Sequence, residues 1–76
     1  MDAKSIGKHI KQRRRQLDIS QYTLAALSGI SVNTVVAIER GEGNPRLDNI
    51  LSVLETLGLQ FAVTLKSDNP SAYEEM

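Results

Sequence analysis

The chain has 76 residues, no cysteine, nine basic and nine acidic residues, and 41% hydrophobic residues. That length carries one domain with a modest core, and the missing thiols exclude disulfides and thiolate metal sites. No apolar run approaches the roughly 20 residues of a membrane span, and the first residues, MDAKSIGKHIKQ, lack the apolar centre of a signal peptide, so a cytoplasmic location is expected.

The net charge of zero conceals an asymmetry. Residues 1–46 hold eight basic against four acidic residues, net +4, and residues 47–76 hold one against five, net −4. A basic amino-terminal part can face a polyanion while the rest faces away; a merely solvated helix face is the competing reading.

Ala3, Ile6, Ile10 and Leu17 recur at helical spacing and predict a first helix, with Asp2 as its cap. Gly7 within it is expected to permit close packing, because glycine otherwise weakens a helix. Asp18 and Ile19 break the pattern. Ser20 is the next N-cap, and Leu24, Ala25 and Leu27 supply the apolar face of a short second helix that Gly29 ends. After Ile30, Ser31 caps a third helix from about Val32 to Arg40, with Val35 and Ile38 inward and Gly41 as its stop.

The stretch GEGNP reads as a loop. A fourth helix is predicted from about Leu47 to Leu57, with Ile50, Leu51, Leu54 and Leu57 as its stripe and Gly58 as its end. The period then changes to two: Leu59, Phe61, Val63 and Leu65 alternate with Gln60, Ala62, Thr64 and Lys66, which predicts a β-strand over 59–66 with one apolar face. Residues 67–76 form a polar tail expected to be disordered. One domain over 1–66 is therefore expected, with no internal repeat.

Residues 20–41, SQYTLAALSGISVNTVVAIERG, carry the main functional signal. Two short helices joined through Gly29 pack at a steep angle. Ala25 and Gly29 let them approach, while Ile30, Val35 and Ile38 anchor the third helix to the core. Its other side stays free to fit a major groove about 12 Å wide.

The pieces IGKHIKQRR, SQYTLAALSGIS, NTVVAIERG and NPRLDNILSVLETLGL, spanning residues 6–59, resemble the Cro/repressor (Xre-type) helix-turn-helix family. The resemblance implies a mainly α, four-helix, lambda-repressor-like domain that binds double-stranded DNA as a homodimer and represses transcription. It implies that Gln21 touches a DNA phosphate, that Val32, Asn33, Val36 and Ala37 face the groove, and that Ser31 and Thr34 reach phosphates or base edges. It puts Arg40 and Arg46 near the DNA backbone, and pairs Arg14 with Glu39 in a partly buried ion pair. This chain departs from the pattern at Val32, Val36 and Ala37, where many relatives carry Gln, Arg or Ser. Asn33 is the one exposed amide, suited to adenine N6 and N7, and the valines suit thymine methyls. Phosphate contacts and DNA shape are therefore expected to share the discrimination. Arg46 also stands at the usual cap of the fourth helix, where family members often have Ser or Thr, so a weaker cap is expected.

A lone strand has two unpaired edges. Pairing of 59–66 with the same strand of a second subunit covers one of them and places Leu59, Phe61, Val63 and Leu65 in a dimer interface. This layout resembles HipB-type antitoxins, which implies repression of the chain's own operon and a HipA-like kinase toxin as partner. A stand-alone regulator without a toxin, and an interaction module that has lost DNA binding, remain the alternatives. The tail, with Tyr73 as its only large side chain, reads either as a partner-binding segment or as a frayed end.

Other residues invite blander readings. Arg13, Arg14 and Arg15 point about 100° apart on a helix, so they cannot form one patch; Arg13 and Arg15 are expected to be solvated. His9 has no second His or Cys beside it in the sequence and reads as a surface residue rather than a metal ligand. No nucleophile–base constellation is apparent, no cofactor is expected, and the chain is not expected to be an enzyme.

Overall fold

The computed structural model describes residues 2–62, which form four helices: α1 (Ala3–Gln16), α2 (Gln21–Ser28), α3 (Val32–Arg40) and α4 (Leu47–Thr56). The helix starts follow local chemistry. The Asp2 carboxylate accepts the Ser5 amide at 2.8 Å, Ser20 Oγ accepts that of Thr23 at 3.0 Å, and Ser31 Oγ accepts that of Thr34 at 3.2 Å. The Ser5 and Thr23 amides are ones the helix itself leaves without a partner; that of Thr34 is shared with the Ser31 carbonyl at 3.1 Å. At α4 the cap position is Arg46, which makes no side-chain capping bond, as its chemistry predicts. Asp48 in the first turn of α4 places a negative charge at the positive end of the helix dipole.

The ends are also locally determined. Gly29 and Gly41 take the left-handed conformation and close α2 and α3. α1 ends without glycine: Asp18 adopts φ 56°, which Asp tolerates better than most side chains, and the Ile19 amide returns to the Arg14 carbonyl at 3.3 Å.

Ile10, Leu24, Val35, Val53 and Leu57 are the largest fully buried side chains, joined by Ala25, Ile38 and Leu54. All four helices thus contribute to one core. Each fully buried aliphatic side chain contributes about 1.5–3 kcal/mol relative to an exposed one. α3 is rich in β-branched residues, which propagate a helix poorly, so packing through Val35 and Ile38 is what holds it. Gly7 lets α1 approach closely: a Cβ there would stand 2.5 Å from the Glu39 carbonyl oxygen and closer still to that of Ile38.

Four sequence expectations are corrected. Leu27 and Leu51, assigned to apolar faces, are 65% and 45% exposed, and Leu17 is 41% exposed. Leu17 lies past the last turn of α1, and Leu27 and Leu51 lie on helix flanks that, among the described residues, no neighbouring element covers. Arg13 is part-buried rather than solvated, and its Nε–H donates to the Leu57 carbonyl at 2.9 Å. It thereby satisfies one of the carbonyls left open at the end of α4.

Among the described residues no strand forms. Residues 59–62 keep the alternation expected of one, with Leu59 and Phe61 half-buried and Gln60 and Ala62 exposed. Leu59 and Phe61, however, pack against the core of their own chain. A ladder needs a partner for its N–H and C=O groups, and one copy of these residues supplies none. The remainder of the expected strand, with Val63 and Leu65, and the tail lie outside the described residues. Among the described residues, no single helix is long and apolar enough to cross a membrane.

Candidate nucleic-acid interface

The chain bends by 111° between α2 and α3, within the range of a helix-turn-helix unit. Gly29, Ile30 and Ser31 make the turn, and the Ile30 amide bonds the Ala25 carbonyl at 3.0 Å. Successive residues of a helix advance by about 100°. Asn33, Ala37 and Arg40 therefore fall opposite the buried Val35, Ile38 and Glu39. Asn33 and Arg40 are exposed, and Val36 and Ala37 are half-buried beside them.

The back of α3 is clamped. Arg14 Nε–H donates to Glu39 Oε2 at 2.7 Å and its NH2 group to Glu39 Oε1 at 3.2 Å, while its NH1 group donates to the Ile19 carbonyl at 2.9 Å. The side chains are only 12% and 3% exposed, so the pair is shielded from solvent and its geometry is bidentate. Gln21 adds a third donor, with Nε2 bonding Glu39 Oε1 at 3.1 Å. One carboxylate thus ties α1, α2 and α3 together and fixes how the exposed side of α3 is presented.

The other expected contact residues are placed unequally. The Gln21 amide nitrogen, expected at a phosphate, is engaged inside the protein. Ser31 and Thr34 hydrogen-bond each other through their hydroxyls at 2.8 Å, so both are partly committed to the cap. Val32 packs partly against the core, which leaves only part of its side chain for a base methyl. Arg46 is exposed, with an Asp48 contact at 3.1 Å; a pair this open to solvent is weak and leaves the guanidinium free to exchange partners.

Two groups of residues escaped the sequence reading. Glu42 and Asn44 line an open groove with Asn33, Thr34 and Ala37, between α3 and the following loop. Lys4 and Lys8 share a second groove with Arg40, bordered by Asp2, Ser5 and Glu39. The i, i+4 spacing of the two lysines marked one face of α1, but only the fold shows that this face borders the end of α3. Among the described residues no group of three His, Asp or Glu side chains is placed to hold a metal ion.

A sequence model of the family described as Helix-turn-helix, the Xre type, matches residues 10–63. The chain is 38% identical over 56 residues to an uncharacterized HTH-type transcriptional regulator of Haemophilus influenzae, across 74% of this chain and 57% of that protein. It thus spans little more than half the length of that relative. Among solved structures it is similar to the restriction-modification controller protein C.AhdI from Aeromonas hydrophila, with a TM-score of 0.70 and 36% identity over 78% of this chain and 86% of that one. It is also similar to a chain of the HipA-HipB-O2-O3 complex, with a TM-score of 0.78 and 22% identity over 88% of this chain and 94% of that one. At 22% identity the second likeness concerns the fold alone.

Proposed function

The chain belongs to the Xre-type helix-turn-helix family, and from that premise we propose that it binds operator DNA sequence-specifically as a homodimer and represses transcription. The observation that carries this reading is the uncovered side of α3: Asn33 and Arg40 face outward while Val35, Ile38 and the Arg14–Glu39 pair hold the helix from behind. Asn33 accepts from and donates to an adenine edge, and Val32, Val36 and Ala37 give apolar contact to thymine methyls. Ser31, Thr34, Arg40, Arg46 and the backbone around Gln21 position the helix through phosphates.

Two subunits place their α3 helices in successive major grooves, about 34 Å apart. Occupancy over a promoter then excludes polymerase. The intersubunit pairing is assigned to the segment 59–66, with Leu59, Phe61, Val63 and Leu65 in the interface; Leu59 and Phe61 also touch their own core.

We assign the regulator to a HipB-like antitoxin role, with a HipA-like kinase as its second partner. The likeness in fold to a chain of the HipA-HipB-O2-O3 complex supports this. A stand-alone regulator is the second reading, favoured by the higher identity to the restriction-modification controller protein. A kinase-like reading frame abutting the gene, whose product co-purifies with this chain, supports the antitoxin; its absence supports the stand-alone regulator.

The experiment for DNA binding is selection from random duplexes with the full chain. An enriched motif repeated about a two-fold axis, with half-sites about 10 base pairs apart, is expected. A pool that stays random after repeated rounds contradicts the proposal.

A further inference from the structure

We propose that the outer face of α1 is a second DNA-backbone surface, in which Lys4, Lys8, Lys11 and Arg15 track the phosphates of duplex flanking the site that α3 reads. This rests on the DNA-binding reading and extends it to residues that no part of the helix-turn-helix unit supplies. The four cations stand at i, i+4, i+7 and i+11, so at about 100° per residue they fall within an arc of about 60°. At a rise of 1.5 Å per residue the stripe is about 16 Å long. All four are exposed, and none forms an ion pair among the described residues.

The lysines of the stripe work against the helix that carries them, whereas Arg15, in the last turn, suits the helix dipole. Lys4–Lys8, Lys8–Lys11 and Lys11–Arg15 are like-charge neighbours one turn apart, each destabilising. The first turn of α1 contains no acidic residue and does contain Lys4, a cation at the positive end of the helix dipole. A polyanion along the stripe reverses both effects.

The stripe is continuous with the proposed DNA-facing surface. Lys4 and Lys8 share a groove with Arg40, and the chain path at Gly41 is so close that a Cβ there would stand 2.6 Å from the Lys4 Cα. Arg40 in turn lies on the same side of α3 as Asn33. Duplex DNA carries one charge per about 1.7 Å of axis, so a stretch as long as the stripe presents more phosphates than the stripe has cations.

The test is the salt dependence of duplex binding by the full chain and by the variant Lys4→Gln/Lys8→Gln/Lys11→Gln, with fluorescence anisotropy on a selected duplex carrying long flanks. A melting temperature at or above the parent's shows that the variant is folded, and single Lys8→Gln provides a milder version. The slope of log affinity against log salt is expected to become shallower by about 2–3 per subunit, hence by about 5 for the bound dimer, close to 0.9 for each lost phosphate contact, with the order of preference among base sequences unchanged. If the parent binds with base preference and the variant keeps the same slope and affinity, the stripe is only a solvated face and the proposal fails. Capture of a poly-glutamate peptide by the parent but not the variant, again with duplex binding unchanged, assigns the stripe to an acidic protein partner and overturns it equally. If the parent binds no duplex, the DNA-binding reading falls, and this extension falls with it.

Discussion

Gln21 donates its side-chain amide to Glu39 at 3.1 Å, on the same carboxylate that Arg14 grips from α1. Glu39 is the buried charge on which three helices converge. Removing one partner of a buried pair costs about 3–5 kcal/mol, a large share of a small domain's stability of about 5–15 kcal/mol. Glu39→Ala is therefore expected to lower the melting temperature far more than Glu42→Ala, whose side chain is exposed. Thermal unfolding followed by circular dichroism reads the difference; equal shifts contradict the clamp.

Gly7→Ala places a methyl group against the backbone carbonyls of Ile38 and Glu39. Backbone cannot move aside as a flexible side chain can, so α1 must separate from α3. A loss of more than about 2 kcal/mol is expected, at the upper end of overpacking costs, despite alanine's better helix propensity. Urea unfolding measures it. An unchanged midpoint contradicts the close approach.

Arg13→Ala exposes the role of a residue that the sequence marks only as charged. Its bond to the Leu57 carbonyl closes the end of α4, and its loss is expected to cost about 1.5–3 kcal/mol, the range for a hydrogen bond to a charged group. Arg15→Ala, on the exposed side of the same helix, is expected to leave the melting temperature within a degree or two. The two variants compared by differential scanning calorimetry decide the point.

The caps at Asp2, Ser20 and Ser31 and the stops at Gly29 and Gly41 were legible because capping is local: a hydroxyl or carboxylate and the amide it accepts lie three residues apart. The Arg14–Glu39 pair lies 25 residues apart and was legible only through the family resemblance. Arg13 and Leu57, 44 residues apart, left no such trace. Periodicity locates the apolar stripes of α2 and α4 but not how far neighbours cover them, which is why Leu27 and Leu51 read as part of those stripes and yet stand exposed. The alternation at 59–62 was legible as a pattern, but it identified a face and not what covers that face. At the interface, Asn33 was legible as an exposed amide. The engagement of Gln21, and the nearness of Lys4 and Lys8 to Arg40, required the packing of α1 on α3.

Dimer formation is best tested without disturbing the core. Phe61→Asp alters a residue packed on its own subunit, so loss of dimer there is ambiguous. Val63→Asp combined with Leu65→Asp is expected to yield a folded monomer by light scattering, with weaker operator binding. An intact dimer in that variant removes the strand-pairing proposal.

The central claim is that the side of α3 around Asn33 reads DNA. Its most direct test is titration of the selected duplex, and of duplexes altered one base pair at a time, with the parent and Asn33→Ala at low salt. The account predicts a loss of about 1–3 kcal/mol on the selected site, confined to one base pair per half-site, with the melting temperature of the protein unchanged. A variant that binds every duplex as tightly and as selectively as the parent contradicts it.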